Sequence, residues 1–236
     1  MRVAIIPARG GSKRIPRKNV KLFRGKPMIA WTIEAVLASK LFDKVIISTD
    51  DEQIAKISRE HGAEVPFRRP AELADDDTPT MPVIRHAIEF IEQDTGNNVS
   101  EGCFIYATAP FVEPEDLENG YECLMADLEL EFAFSATSFP FPIQRALRVT
   151  ADGRSEMLHP ENELVRSQDL EDRYHDAGQF YWFRRNAIFE NDGVFSARSA
   201  LVHIPRQRVQ DIDTLEDWAC AELAHSILYK DVEWRS

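Results

Sequence analysis

The chain has 236 residues, 44% hydrophobic and 29% charged, with a net charge of −12. That balance excludes a disordered chain, and a net acidic protein is a poor general binder of nucleic acid. No apolar run reaches the length of a membrane span, and the apolar part of "MRVAIIPARGG" is too short for a signal peptide. Cys103, Cys123 and Cys220 are widely spaced and odd in number, which fits reduced thiols in a cytoplasm better than a disulfide framework or a zinc site.

The first predicted element is a buried strand, "RVAIIPA". It runs straight into "ARGGSKRIPRKN", where two glycines sit among basic residues. Nine basic residues and no acidic one precede Glu34, so the acidic excess lies wholly in the rest of the chain. Gly10 and Gly11 would let the backbone approach an anion with its amides turned inward. Arg9 can grip phosphate oxygens bidentately, and Lys13 adds a compact charge. The loop reads as a phosphate site, against the alternative of a solvated basic turn. It is neither a Walker A loop, since G-x-x-x-x-G-K-[ST] is absent, nor a dinucleotide fingerprint, since the third glycine is missing.

A regular alternation follows. "MIAWTIEAVLAS" reads as a helix, "KVIISTD" as a strand and "DEQIAKISREHG" as a helix stopping at Gly62. Of Asp50 and Asp51, one is expected to cap that helix. "AEVPFRRP" is a short strand and loop, and Arg68 and Arg69 precede an acidic run that reads either as a base-binding edge or as a solvated loop. "TMPVIRHAIEFIEQ" is a helix, "GCFIYATAP" a strand, "EPEDLENGYECLMA" a helix and "FAFSATSF" a strand. This rhythm predicts a parallel or mixed sheet covered on both faces, with ligands at the strand C-termini.

The rhythm breaks after about residue 138. "ALRVTADGRSEML" predicts a hairpin turning at Asp152-Gly153, inside a segment that reads as an arm leaving the main body. "AGQFYWFRR" and "ALVHIP" return as strands. Phe180, Tyr181 and Trp182 read as core, while His175 reads either as a site residue or as a partly buried histidine. In "VQDIDTLEDW", Asp211 and Asp213 alternate along extended backbone, so both carboxylates are expected on one side. Such a pair suits Mg²⁺ shared with phosphates, although capping and solubility are the alternative. Thr214 opens a predicted capping box, "TLED", and "DTLEDWACAELAHSILYK" closes the chain as a helix. The whole of 1–236 reads as one domain with an inserted arm at about 140–175.

These motifs resemble the CMP-sialic acid synthetase family. "IIPARGGSKRIPRKN" is similar to that family's nucleotide loop, "KVIISTDDEQIAKISREHGAEVPFRRPAELADDDTPT" to its next block, and "QDIDTLED" to its metal-binding aspartates. "ATSFPFPIQRAL" and "RSQDLEDRYHDAGQFYW" resemble the branch that acts on pseudaminic acid, and Tyr106 in "YATAP" replaces the glutamine usual in the sialate branch. The resemblance implies a three-layer, Rossmann-like α/β nucleotidyltransferase core with a mixed sheet, in a homodimer joined through the arm. It implies that CTP and an acidic nine-carbon sugar are the substrates and that Mg²⁺, held by Asp211 and Asp213, is the cofactor. Arg9, Ser12, Lys13, Lys18 and Asn19 would hold the phosphates and ribose, and Arg69 and Thr80 would lie at the cytosine. Tyr106, Gln144, Arg166, His175 and Gln179 would line the sugar pocket, with Arg166 facing the carboxylate. Alternative substrates are N-acetylneuraminate, legionaminate and 3-deoxy-manno-octulosonate. Octulosonate enzymes usually carry "GDEP" where this chain has "ATAP". A different class is a catalytically silent nucleotide-binding protein on the same fold.

Overall fold

The computed structural model describes residues 1–229. In chain order the first half comprises β1 (Arg2–Pro7), the short hairpin β2 (Leu22–Phe23) and β3 (Lys26–Pro27), α1 (Met28–Ser39), β4 (Lys44–Ser48), α2 (Glu52–Glu60), α3 (Thr80–Thr95) and β5 (Glu101–Ile105). The second half comprises α4 (Pro114–Ala126), β6 (Phe132–Ser138), β7 (Leu147–Val149), β8 (Ser155–Met157), β9 (Tyr174–Arg184), α5 (Arg185–Glu190), β10 (Ser199–His203) and α6 (Leu215–Leu228). Lys230, the last residue of the expected closing helix, lies outside the described residues.

Six strands form one mixed sheet in the order β10-β6-β9-β5-β1-β4. All neighbours pair in parallel except β9, which is antiparallel to both β5 and β6. Strand β1 shows why the sheet is covered twice. Val3 and Ile5 pack with Met81, Ile84 and Ile88 of α3 and Ile188 of α5. Their neighbours Ala4 and Ile6 pack with Ile29 and Ile33 of α1, Ile54 of α2 and Leu117 of α4. Successive strand side chains point to opposite faces, so an unbroken apolar run needs helices on both. Helix ends follow local chemistry. Asp51 caps α2 by accepting from the Ile54 amide at 2.9 Å, and Gly62 leaves that helix at φ +90°. Thr214 and Asp217 form the expected capping box. In "AEVPFRRP" only a single bridge forms, between Glu64 and Ile46, and the rest is loop.

Two features position the site. First, β1 lies between β4 and β5, so the chain leaves β1 to one side of it and returns to the other. The loops after β1 and β5 diverge at such a switch point and leave a crevice. Second, Ile15, Phe23, Met28, Phe111, Ile212, Trp218 and Ala221 form a small separate core. Ile15 belongs to the basic loop, and Ile212 separates Asp211 from Asp213. Burying the two isoleucines, each worth about 2 kcal/mol, draws the basic loop and the aspartate segment together.

Between β6 and β9, residues 139–173 contain no buried side chain. They hold the expected hairpin, β7 with β8, whose turn carries Gly153 at φ +81°. Phe141, Val149 and Leu164 are 80%, 79% and 94% exposed. The chain returns from this arm by pairing Tyr174 with Ser138, and a bulge then interrupts β9 opposite Phe134 and Ala136, with Gly178 at φ +63°. No described helix is long and apolar enough to cross a membrane.

Candidate active site

A cavity of about 330 Å³ opens at the switch point. Arg9, Ser12, Lys13, Lys18 and Asn19 line it from the loop after β1, and Arg69 and Thr80 from the connection between α2 and α3. Tyr106 enters from the end of β5, and Asp213 from the segment before α6. The structure therefore gathers nine of the sequence-derived site residues in one place. Arg14, Asp75, Asp76, Thr78 and Thr108 also line the cavity.

The loop is held open from behind. Asn19 Nδ2 donates to the Arg9 carbonyl at 3.0 Å. The Gly10 amide donates to Asp50 Oδ1 at 3.0 Å, so it faces the scaffold and not an anion, contrary to the inward-facing expectation. A Cβ on Gly10 would lie 2.9 Å from Asp51 Oδ2 and 3.0 Å from Asp51 Cβ. Gly10 thus lets the loop cross the start of α2, while Gly11 is exposed; neither lines the cavity. Asp51 also pairs with Arg17, whose NH2 lies 3.0 Å from its Oδ1, so Asp50 braces the loop while Asp51 caps the helix.

Arg69 is 6% exposed, and its Nε donates to Ser48 Oγ at 3.1 Å. Burial pushes its guanidinium down to about 10, while Asp50 works in the opposite direction. It stays charged at neutral pH and is locked by β4, a fixed donor at the cavity's inner wall. Beside it, the Tyr106 hydroxyl lies 3.5 Å from Thr80 Oγ1.

Charges at the mouth are paired. Asp76 forms ion pairs with both Arg9 and Lys13. Lys13, then Arg9, hold the Asp76 carboxyl below its ordinary value, and Asp76 raises Lys13. Asp213 lies 2.5 Å from Arg14 NH1 and 3.6 Å from Lys18 Nζ. Asp211 is exposed and outside the cavity lining, so the two carboxylates are not brought together at it. Among the described residues no group of three or more His, Cys, Asp or Glu gathers as a metal site. Asp213 nonetheless offers hard oxygen ligands at the cavity wall, beside Arg14 and Lys18, of the kind that suits Mg²⁺ sharing its coordination with phosphate.

Four sequence-derived candidates stand elsewhere because they belong to the arm or its stem. Gln144 Nε2 donates to the Glu171 carbonyl at 2.7 Å, and Arg166 Nε to Asp169 Oδ2 at 2.8 Å. His175 Nδ1 is 2.8 Å from the Asp176 carbonyl, with its ring 4.9 Å from Phe139. Gln179 is buried, and its Nε2 donates to the Arg208 carbonyl at 2.6 Å. Sequence reasoning passed over Asp75 and Asp76 as part of an acidic loop. The available signal was "DDDT": Asp75 accepts from the Thr78 amide at 2.7 Å, a local turn that leaves the next carboxylate free to face the cavity.

The family model described as Cytidylyltransferase matches residues 3–224. A "Pseudaminic acid cytidylyltransferase" of Campylobacter jejuni is 40% identical over 225 residues, which are 95% of this chain and 96% of the relative. A "CMP-N,N'-diacetyllegionaminic acid synthase" of Legionella pneumophila is 32% identical, covering 93% of this chain and 94% of that one. Among solved structures, a CMP:2-keto-3-deoxy-manno-octonic acid synthetase complexed with CTP superposes with a TM-score of 0.68 at 18% identity. It covers 98% of this chain and 99% of its own, which shows the shared fold. A basic loop at the switch point of a mixed sheet, in a chain matched over nearly its whole length, leads to one assignment: the chain belongs to the cytidylyltransferase family.

Proposed function

We propose that this protein transfers the CMP group of CTP to the anomeric hydroxyl of pseudaminic acid, with release of pyrophosphate. The observation that carries the reading is the cationic cavity at the switch point, in a chain 40% identical to a relative named for that sugar. The sugar oxygen bonds to the α-phosphorus as the bond to the pyrophosphate oxygen breaks, and the hydroxyl proton passes to solvent. Arg9, Lys13 and Lys18 neutralise charge that builds on the phosphates, while Asn19 and Ser12 orient the ribose and phosphate oxygens. Arg69 and Thr80 take the cytosine end. Asp213, with Asp211 if its loop turns inward, would hold Mg²⁺, which when bound would neutralise phosphate charge.

Tyr106 replaces a polar amide with an aromatic wall. This suits the deoxy C9 of pseudaminic acid better than the glycerol tail of sialic acid. The exposed apolar side chains of the arm support a homodimer in which Gln144 and Arg166 serve the neighbouring copy's site. A nucleotide substrate and three unpaired cysteines support a cytoplasmic setting.

Pyrophosphate release with CTP and a panel of pseudaminic, legionaminic, N-acetylneuraminic and 3-deoxy-manno-octulosonic acids tests the reading. The expected result is the highest kcat/KM with pseudaminic acid and very weak turnover of N-acetylneuraminic acid. A higher value with another sugar overturns the choice of substrate. No release with any of them leaves a nucleotide-binding protein without this activity.

A further inference from the structure

Asp75, Asp76 and Asp77 form an acidic run, and Asp76 faces the most basic loop of the chain. Their neighbours divide the work. Asp75 turns back on its own loop, accepting from the amides of Asp77 at 3.1 Å and Thr78 at 2.7 Å. Asp76 makes no such turn; its two carboxylate oxygens go one to Arg9 and the other to Lys13. Arg9, Lys13 and Asp76 line the same cavity. Arg9 and Asp76 are about one-third exposed and Lys13 is 81% exposed, so these pairs are reachable by a ligand and are not locked in the core. A carboxylate bridging two cations presents the same oxygen pattern as one edge of a phosphate group.

We propose that Asp76 is an internal competitor for the nucleotide's phosphates, a carboxylate latch that occupies Arg9 and Lys13 until CTP displaces it and that re-engages them as pyrophosphate leaves. The inference rests on the assignment of Arg9 and Lys13 to the phosphates. Any ligand that needs these two cations must first open the latch, so its apparent affinity falls by the fraction of molecules already open. Two partly exposed ion pairs correspond to a reduction of about two- to tenfold. CTP and pyrophosphate carry that reduction alike. Cytidine, which has no phosphate, escapes it. The latch also shortens the residence of pyrophosphate, because the vacated cations have a partner in place.

Equilibrium binding of CTP, pyrophosphate and cytidine to the full chain, its Asp76→Asn and Asp76→Ala variants, and Lys13→Ala tests this. Both Asp76 variants should bind CTP and pyrophosphate about two- to tenfold more tightly, with cytidine unchanged, and pyrophosphate should become a stronger product inhibitor. Unchanged or weaker pyrophosphate binding in both variants overturns the latch, and so does an equal gain for cytidine, which would place the loop over the base. If Lys13→Ala leaves pyrophosphate binding intact, the phosphate assignment fails and the latch fails with it. If Lys13→Ala weakens binding but the Asp76 variants gain nothing, only the latch is lost.

Discussion

His225→Phe should make the protein less sensitive to acid between pH 6.5 and pH 4. The imidazole is 5% exposed, with ring centroids 4.4 Å from Trp31, 4.5 Å from Tyr229, 5.3 Å from Phe23 and 5.5 Å from Phe111. Burial, with repulsion from Arg24 and Lys26, pushes it down from 6.5 to about 4. Unfolded chains therefore take up this proton near pH 6.5, folded chains only near pH 4. The stability tied to the neutral ring is present in full above pH 6.5 and is lost as pH falls through that window. Linkage sets the loss at about 1.4 kcal/mol at pH 5.5 and about 2.5 kcal/mol at pH 4.5. Urea denaturation of the wild type and the Phe variant at these pH values measures it, and carboxylate titration common to both cancels in the difference. Parallel pH profiles for the two proteins would refute the reasoning. The ring faces Phe23 and Phe111, members of the small core that also buries Ile15 and Ile212, so its protonation should loosen the site before the main sheet.

Lys13→Ala should lower kcat/KM for CTP by roughly 10²–10³-fold, as expected when a charged phosphate contact worth about 2–4 kcal/mol is removed. Arg24→Ala, outside the cavity lining, should change it little; equal effects would mean that bulk charge matters more than a shaped site. Asp213→Ala should remove most turnover while thermal stability holds, and EDTA should abolish wild-type activity until Mg²⁺ is returned. Full activity in a metal-free assay defeats the metal assignment. Gly120→Ala should destabilise the chain by about 1–3 kcal/mol, because a Cβ there would lie 2.6 Å from Trp182 Cδ1 and 2.8 Å from Phe180 Cε2. Chemical denaturation measures this, and an unchanged midpoint would show that the rings give way freely.

Periodicity made the helices and strands legible because each apolar stripe answers to one neighbouring layer. The boundaries of α2, between the Asp51 cap and Gly62, and the turn at Gly153 follow from local chemistry alone. The antiparallel entry of β9 was not legible, since "AGQFYWFRR" is apolar on both faces whichever way it runs. At the site, residues contributed by loops next to strand ends could be gathered from motifs: Arg9, Lys13 and Lys18 from the basic turn, Asp213 from the D-x-D. What joins them is less visible, a single isoleucine in each motif, Ile15 and Ile212, whose shared burial is a tertiary event. The direction of the Gly10 amide was misread because its acceptor, Asp50, is 40 residues away. Gln144 and Arg166 could not be placed from spacing, because an arm with no buried residue leaves no periodic record of what it faces, and Gln179 was misplaced because the carbonyl it donates to, on Arg208, is 29 residues away.

The arm begins and ends at paired positions, Ser138 opposite Tyr174 on adjacent strands. Its two ends are thus fastened side by side by the sheet itself, and the intervening chain closes no loop that the core depends on. Insertions, deletions and substitutions between them leave the register of every central strand untouched. An appendage attached in this way can be rewritten while the nucleotide-handling half stays the same.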